Sequence, residues 1–543
     1  MFAIGLAAFL LLPVAPIVYQ AFLSRPLYDP AAALTLGNFA RLLSDADFGL
    51  ALINTALFAG LATLIAIVLG LAFSLLLERV ELPFRRTLRL LVITPLFVSP
   101  LIMALAWSVL YSPGGYLAMF LRMNFGFGLP NLNSLGGMGV IAGVVQVPVA
   151  YLFLATAASN IPDVFERSAR ASGAGRFQVV WTIVLPLLRP ALISCVLLNV
   201  MLVVDLLAVP LIIGEPARVL VLSTFLYTKG AISVQMDYGI IAAAAVIMIA
   251  IVQALILLQS RFIGDRRKYV TVGARSSAKT LLRTGWVGWI VSGLIAVYIA
   301  ITLIVPLVFL ILRSFTGILT PLLPIADVLT LENYKTILGT EQYVRSITNS
   351  ILISSVGGAT AVAFTFIAAV FAYRSTPGVR TAIEQVAVIP RAIPGLVVGL
   401  GFFYGMILLP GGGYLKQTLL ILFIAFLIRN FPSGFGAIAP SFIQVGEELD
   451  RAARISGARR WRAIIDITLP LTRGALLSCF VLYFVYFLKE YSSAAFLFGP
   501  GSEVIGTTML QLNFSGFLGS LAALACIELV ILLPFAAVIL GRR

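Results

Sequence analysis

A chain of 543 residues that is 61% hydrophobic and only 11% charged is not built like a soluble protein, in which about a quarter of residues carry charge. Its mean hydropathy of +1.07 comes from long apolar runs, not from the short alternating segments of a β-barrel, so the fold class read from it is an all-α polytopic membrane protein. The net charge of +15 does not call for nucleic acid as a partner, because the Lys and Arg residues sit in short loops between apolar runs and not on one solvated face.

In chain order, the run from Phe2 to Phe22 lacks the basic start of a signal peptide and is followed by many more runs, so it reads as the first membrane span, 1–23. Spans 2 to 6 follow at 51–77, 89–111, 138–159, 190–213 and 239–260. The stretch 261–285 is basic, carries Ser276, Ser277, Thr280 and Thr284, and reads as a cytoplasmic linker too short to be a domain. Spans 7 to 12 are expected at 286–312, 347–373, 382–409, 417–438, 475–498 and 516–540. The even number of spans puts both termini on one side. The loops that are cytoplasmic if the N-terminus is inside hold 25 of the 37 Lys and Arg residues, which predicts both termini in the cytoplasm, with membrane lipid around the spans. Cys195, Cys479 and Cys526 fall within spans and read as small hydrophobes. With no histidine in the chain, no metal site is expected.

The two groups of six are related. Leu34-Thr35-Leu36-Gly37-Asn38-Phe39 matches Leu329-Thr330-Leu331-Glu332-Asn333-Tyr334, 295 positions on, and at that offset Asn54 meets Asn349 and Pro95 meets Pro390. Further along, Arg167–Ala174 matches Arg451–Ala458 at an offset of 284. One length change explains both offsets: the loop 112–137 is longer than its partner 410–416. The chain therefore divides into a first repeat, 1–260, the linker 261–285, and a second repeat, 286–543. Each repeat crosses the membrane an even number of times, so the two share one orientation about a pseudo-twofold axis along the membrane normal.

The most informative repeated segment lies in the loops after spans 4 and 10, about 160–190 and 441–474. Ala- and Arg-rich helix formers precede Gly173 and Gly457. Ile183-Val184-Leu185-Pro186 begins ten residues after the first Gly, and Ile467-Thr468-Leu469-Pro470 ten after the second. This reads as a short helix, a glycine break, a second short helix and a Pro-marked entry into the next span. The segment resembles the EAA loop of type I ABC importer permeases, whose pattern is Glu-Ala-Ala, three residues, Gly, nine residues, Ile-x-Leu-Pro. Here Ala169, Gly173, Leu185 and Pro186, and again Ala453, Gly457, Leu469 and Pro470, fit that pattern. The Glu position is Arg167 and Arg451, and an acid stands one place earlier, at Glu166 and Asp450. The resemblance implies a permease of the bacterial inner membrane. It also implies two cytoplasmic ABC ATPase subunits seated on the two loops, and an extracytoplasmic solute-binding protein as the source of substrate.

Two further segments, Arg266–Val272 and Leu497–Val504, look like those of fused ferric-iron permeases. Ferric iron is thus the first substrate reading; permeases for thiamine, polyamines, phosphonates or sugar phosphates are alternatives. No Gly-x-x-x-x-Gly-Lys-Ser/Thr segment occurs, so any ATP is expected on a partner subunit; the chain itself is read as a non-enzyme without cofactor. Ionisable residues within spans are costly and mark pathways or buried pairs. Asp205, Arg429, Lys489 and Glu490 are the candidates for the translocation pathway, with Asp205 and Lys489 at matching positions of the repeat. Arg391 and Glu528 are the other intramembrane charges. A secondary transporter, also often built from two six-helix halves, is the reading from a different class. It gives no account of the doubled loop.

Overall fold

The computed structural model describes residues 1–543 except 234–235, 264–281, 284, 447 and 542–543; the side chains at 163, 176–177, 263, 281–283, 450, 451, 460 and 536–541 are also outside the description. The expected linker 261–285 falls almost wholly outside the described residues. Among those residues ten helices are long and apolar enough to cross a membrane, and three further pairs pass the same test but are sharply bent.

Each expected span overlaps one of these elements. Span 1 is the pair Phe2–Leu11 and Val14–Ala21, bent by 56°, where Pro13 and Pro16 remove two backbone donors. Spans 2 and 4 are Ala46–Arg79 and Leu135–Ser159. Spans 3 and 9 are each broken near Pro. Arg85–Ile93 is separated from Pro100–Tyr111 by a 3-10 turn, and Pro377–Ala392 meets Gly395–Leu408 at 94°. Spans 6, 7 and 8 are Tyr238–Ile263, Trp286–Ser314 and Glu341–Tyr373; spans 10 and 12 are Leu419–Gln444 and Leu518–Gly541.

Spans 5 and 11 end earlier than hydropathy suggests. Helix Leu185–Val204 is capped by Asp205, and helix Leu469–Leu488 by Lys489. After Asp205 the chain folds back as a thirteenth apolar element, Pro210–Ala217 and Leu222–Ile232, bent by 86°. After Lys489 the counterpart is Ser493–Phe496 followed by Ile505–Phe514. Residues 206–213 are as apolar as the span before them, so the sequence alone merges the two.

The chain packs as two units. One contains Met1–Asp45, Leu226–Ala250 and Tyr334–Arg543, the other Ala46–Phe225 and Ile251–Asn333. The first span of each repeat is therefore housed with the helices of the other repeat. In the first unit Phe2 stacks on Phe371 at 4.1 Å, Phe9 lies 5.3 Å from Phe364, and Gly401 leaves room for the Pro13 carbonyl. In the second unit the Trp107 indole N–H donates to the Thr302 carbonyl at 3.0 Å, and the Tyr111 hydroxyl to the Ile301 carbonyl at 2.8 Å. Span 7 is π-helical over Ala300–Ile304 just before Pro306. Proline lacks the N–H that would serve the carbonyl four residues back, and Trp107 supplies that bond instead.

The repeat is visible in matched contacts, each within its own unit. Asn38 donates to the carbonyls of Ala21 and Leu23 at 3.0 and 2.7 Å, and Asn333 to those of Ser314 and Thr316 at 3.0 Å each. The Asn of the Leu-Thr-Leu motif thus satisfies the open carbonyl end of spans 1 and 7. The Cys195 thiol faces the Ala150 carbonyl at 4.0 Å, and the Cys479 thiol the Gly434 carbonyl at 3.7 Å.

Candidate functional site

The loop after span 4 is helix Asp163–Ala171, a break at Gly173, and helix Arg176–Val179 running through a π-turn into Leu185–Val204. The loop after span 10 repeats it as Glu448–Ile455, Gly457, Arg460–Ala463 and Leu469–Leu488. Both breaks close in the same way. The N–H groups of Gly173 and Ala174 donate to the carbonyls of Arg170 and Ala169 at 2.9 and 3.0 Å, and those of Gly457 and Ala458 to Arg454 and Ala453 at 3.1 and 3.0 Å. This Schellman closure needs a left-handed residue, and φ is +88° at Gly173 and +93° at Gly457. Nothing stands within 4 Å of where a Cβ would be at either glycine, so their backbone angle is the constraint, not crowding. Pro186 and Pro470 sit in the first turn of the following helices, and each is preceded by a π-turn, Val180–Val184 and Ile464–Thr468. The wide turn accommodates the ring and the missing donor.

Within each loop Ala169 and Ala453 are half-buried, whereas Arg167 is exposed. Large apolar side chains are left in the open: Val164 and Phe165 on the first short helix, Leu449 and Ile455 on the second. Glu166 behaves differently from its neighbours. Its carboxylate is ion-paired with Arg79 at the end of span 2, with the two side chains 14% and 13% exposed. Arg79 also donates to the Ala158 carbonyl at 2.8 Å, at the end of span 4. The acid displaced by one place from the EAA position is thus engaged inside the chain. In the other unit Arg374, the repeat partner of Arg79, donates to the Gly446 carbonyl at 3.4 Å and lies over the Phe442 ring. The side chains of Asp450 and Arg451 lie outside the described residues.

Of the intramembrane charges, Arg391, Arg429, Lys489, Glu490 and Glu528 lie in one unit. Arg429 in span 10 pairs with Glu490 at 2.9 Å, and Glu490 also accepts the Ser493 N–H at 3.0 Å. Gly395, at the break of span 9, leaves the space that the Arg429 guanidinium fills. Lys489 lies 5.2 Å from the Tyr486 ring and interacts electrostatically with Glu528, which is buried in span 12. Asp205 belongs to the other packing unit, where it caps span 5 half-buried. The sequence reading placed Arg429 and Glu490 in the membrane without pairing them, and it left Glu528 unassigned.

A second matched element was legible only as a repeat marker. Asn54 in span 2 donates to the Leu220 carbonyl at 2.9 Å, and the next residue, Thr55, accepts the Leu222 N–H at 2.8 Å. Asn349 in span 8 donates to the carbonyls of Gly501 and Glu503 at 3.1 and 2.8 Å, and Ser350 accepts the Ile505 N–H at 2.8 Å. In each unit an amide and a hydroxyl from one turn of a span hold the folded-back segment that follows span 5 or span 11. Backbone that leaves helical geometry among apolar helices must find such partners.

A duplicated helical membrane protein with paired glycine-broken loops is the class that these features define. The model of the family described as binding-protein-dependent transport system inner membrane component matches residues 62–268 and 361–543. The chain belongs to that family, in two copies, and is a multi-pass inner membrane protein. It is 25% identical over 473 residues to a putative ferric transport system permease protein of Haemophilus influenzae, covering 86% of this chain and 72% of that one. A ferric transport system permease protein of Actinobacillus pleuropneumoniae is 25% identical over 491 residues, 88% of this chain and 69% of that one. An sn-glycerol-3-phosphate transport system permease protein of Brucella abortus is 28% identical over 266 residues, 47% of this chain and 90% of its own length.

Proposed function

We propose that this chain supplies both halves of the permease of an ATP-driven importer, with both termini in the cytoplasm. Its repeats, 1–260 and 286–543, each seat one ATPase subunit on a coupling loop, and a solute-binding protein delivers the substrate from outside. The observation that carries this reading is the doubled loop. Two Schellman-closed short helices of the same register present uncovered apolar side chains on a charged surface, and each is followed, past its glycine break, by a second short helix continuous with a membrane span. A covalently continuous helix from loop to span can carry a movement made at the ATPase into the membrane. The charges Asp205, Arg429, Lys489 and Glu490 line the route of the substrate in this reading, and Glu528 joins them through Lys489.

Ferric iron is the substrate we assign first, because relatives named for ferric transport align over most of both chains. A sugar-phosphate cargo is the second reading, favoured by the glycerol-phosphate relative that aligns with 47% of this chain. The test is reconstitution in liposomes with an ATPase subunit and a solute-binding protein, ATP being enclosed with the ATPase. Uptake of radioactive ferric iron that requires all three components is the expected result. Uptake of glycerol 3-phosphate instead would move the assignment to the second cargo. Uptake driven by a proton or sodium gradient with no ATPase present would overturn the importer reading in favour of a secondary transporter.

A further inference from the structure

Resting on the importer reading, we propose that Lys416, between spans 9 and 10, receives an acidic side chain of the solute-binding protein when that protein docks. Lys416 lines a cavity of about 320 Å³ within one packing unit, together with Gln342, Gln417, Phe498, Glu503 and Gln511. Glu503, the acid on this wall, is already satisfied. Arg345 holds both of its oxygens at 3.1 and 3.3 Å, and the Gly501 N–H donates to it at 3.0 Å. Gln342 and Gln511 are bonded to each other at 3.2 Å. Among the described residues the Lys416 ammonium has no acidic partner; its neighbour is the face of the Phe403 ring at 5.4 Å.

That ammonium is half-buried, and burial pushes its pKa down. A cation that has given up water without gaining an anion is the group that profits most from an incoming carboxylate. The backbone that carries it is fixed in advance: the Ser502 hydroxyl donates to the Lys416 carbonyl at 2.7 Å, and the Gly499 N–H donates to that hydroxyl at 3.0 Å. Beside the cavity, Tyr414 stands 78% exposed on a turn that Gly411 makes with φ +74°. An exposed tyrosine beside an uncompensated cation is a protein-recognition surface, since aromatic side chains are enriched at interface cores and charge pairing sets partner choice. The loop 409–418 lies on the face that the importer reading puts outside, where the solute-binding protein arrives.

The experiment measures ATP hydrolysis by the reconstituted permease–ATPase complex against the concentration of its solute-binding protein. Lys416→Glu should raise the half-maximal concentration about ten- to thirtyfold, the scale of a desolvated charge contact, and Lys416→Arg should restore most of the loss. Carbodiimide treatment of the docked wild-type complex should join Lys416 to an Asp or Glu of the binding protein, and reversing that acid to Lys should rescue Lys416→Glu. An unshifted half-maximal concentration in Lys416→Glu overturns the proposal. So does a shift confined to the solute concentration needed at saturating binding protein, which would give the site to an anionic solute. Hydrolysis in the wild-type complex that ignores the binding protein altogether would instead sink the importer reading itself.

Discussion

The Arg79–Glu166 pair can be used to separate two roles for the acid of the first coupling loop. On the importer reading the loop seats an ATPase subunit, but the acid itself is paired inside the chain, with both side chains nearly buried. Glu166→Gln removes one charge and leaves the Arg79 guanidinium without its counter-ion. Breaking a buried pair in this way costs about 3–5 kcal/mol when water is excluded, and the residual exposure brings it below that range, to about 2–3 kcal/mol. Arg79→Met additionally strands the Ala158 carbonyl, adding on the order of 1 kcal/mol. The double variant strands no charge, so the cycle should show an interaction of about 2 kcal/mol, roughly thirtyfold in an equilibrium. The assay is thermal unfolding of the purified protein in nanodiscs, run in parallel with ATP-dependent uptake. The swapped pair Arg79→Glu with Glu166→Arg should recover a part of both. Additive losses within about 0.5 kcal/mol in the unfolding assay, or a swap that rescues nothing, would refute the internal latch and return Glu166 to the ATPase interface.

Gly173→Val and Gly457→Val should each uncouple ATP hydrolysis from uptake at unchanged membrane levels, because a β-branched residue at φ near +90° costs on the order of 1–2 kcal/mol in the loop alone; normal uptake in the double variant would count against the coupling role. Asn349→Ala leaves two carbonyls of the folded-back segment unserved and Asn54→Ala one, so Asn349→Ala should cost more stability, about 2 kcal/mol against about 1, read as the larger drop in unfolding temperature. Equal shifts in the two variants would dismiss that account. Burial pushes the Glu503 carboxyl up, but the Arg345 guanidinium and the backbone N–H groups outweigh it and hold its pKa below the usual carboxylate range. Its stabilising contribution is therefore complete above the ordinary value of about 4.3 and disappears as pH falls through the lower folded-state value. Glu503→Gln should unfold more easily at pH 7 and show a flatter pH dependence in that acidic window; an unchanged profile would exclude the pair as its source. Tyr414→Cys should react with an impermeant thiol reagent in intact cells and Ile455→Cys should not, both positions being exposed; the reverse pattern would invert the topology.

The membrane class, the repeat and the paired glycine-broken loops were legible in the sequence because each rests on a local signal. Apolar length reports spans, and a glycine ten residues before Ile-x-Leu-Pro reports a left-handed break and a helix start. Less local features were not legible. The helices end at Asp205 and Lys489 and not eight or nine residues later, because 206–213 is apolar for a different reason: it is a folded-back segment buried among helices. Hydropathy cannot tell that burial from lipid exposure. The pairing of Arg429 with Glu490 joins residues 61 positions apart and depends on the gap left by Gly395, which reads in sequence as ordinary helix packing. The exchange of first spans between packing units has no sequence signature beyond Pro13 and Pro306, whose rings mark a bend and a freed carbonyl without naming the helix that answers them.

The matched and unmatched positions of the repeat divide by kind. Those that hold the fold come in pairs that do the same work: Asn38 with Asn333, Asn54 with Asn349, Cys195 with Cys479, Gly173 with Gly457. Those that carry charge inside the membrane do not. At the repeat offset of 284, Arg429 faces Val145, Glu490 faces Leu206 and Lys489 faces Asp205, while span 6 has no charged residue between Tyr238 and Gln259. Two identical subunits would bury every one of these charges twice, Arg429 with Glu490 and Lys489 with Glu528, and so meet the desolvation cost of each a second time. Joining two diverged halves in one chain removes that constraint. One half can then hold an acid–base pair, Arg429 with Glu490, against a neutral counterpart, at no cost to the scaffold contacts both halves need. The asymmetry is thus what two diverged halves in one chain permit and a homodimer forbids.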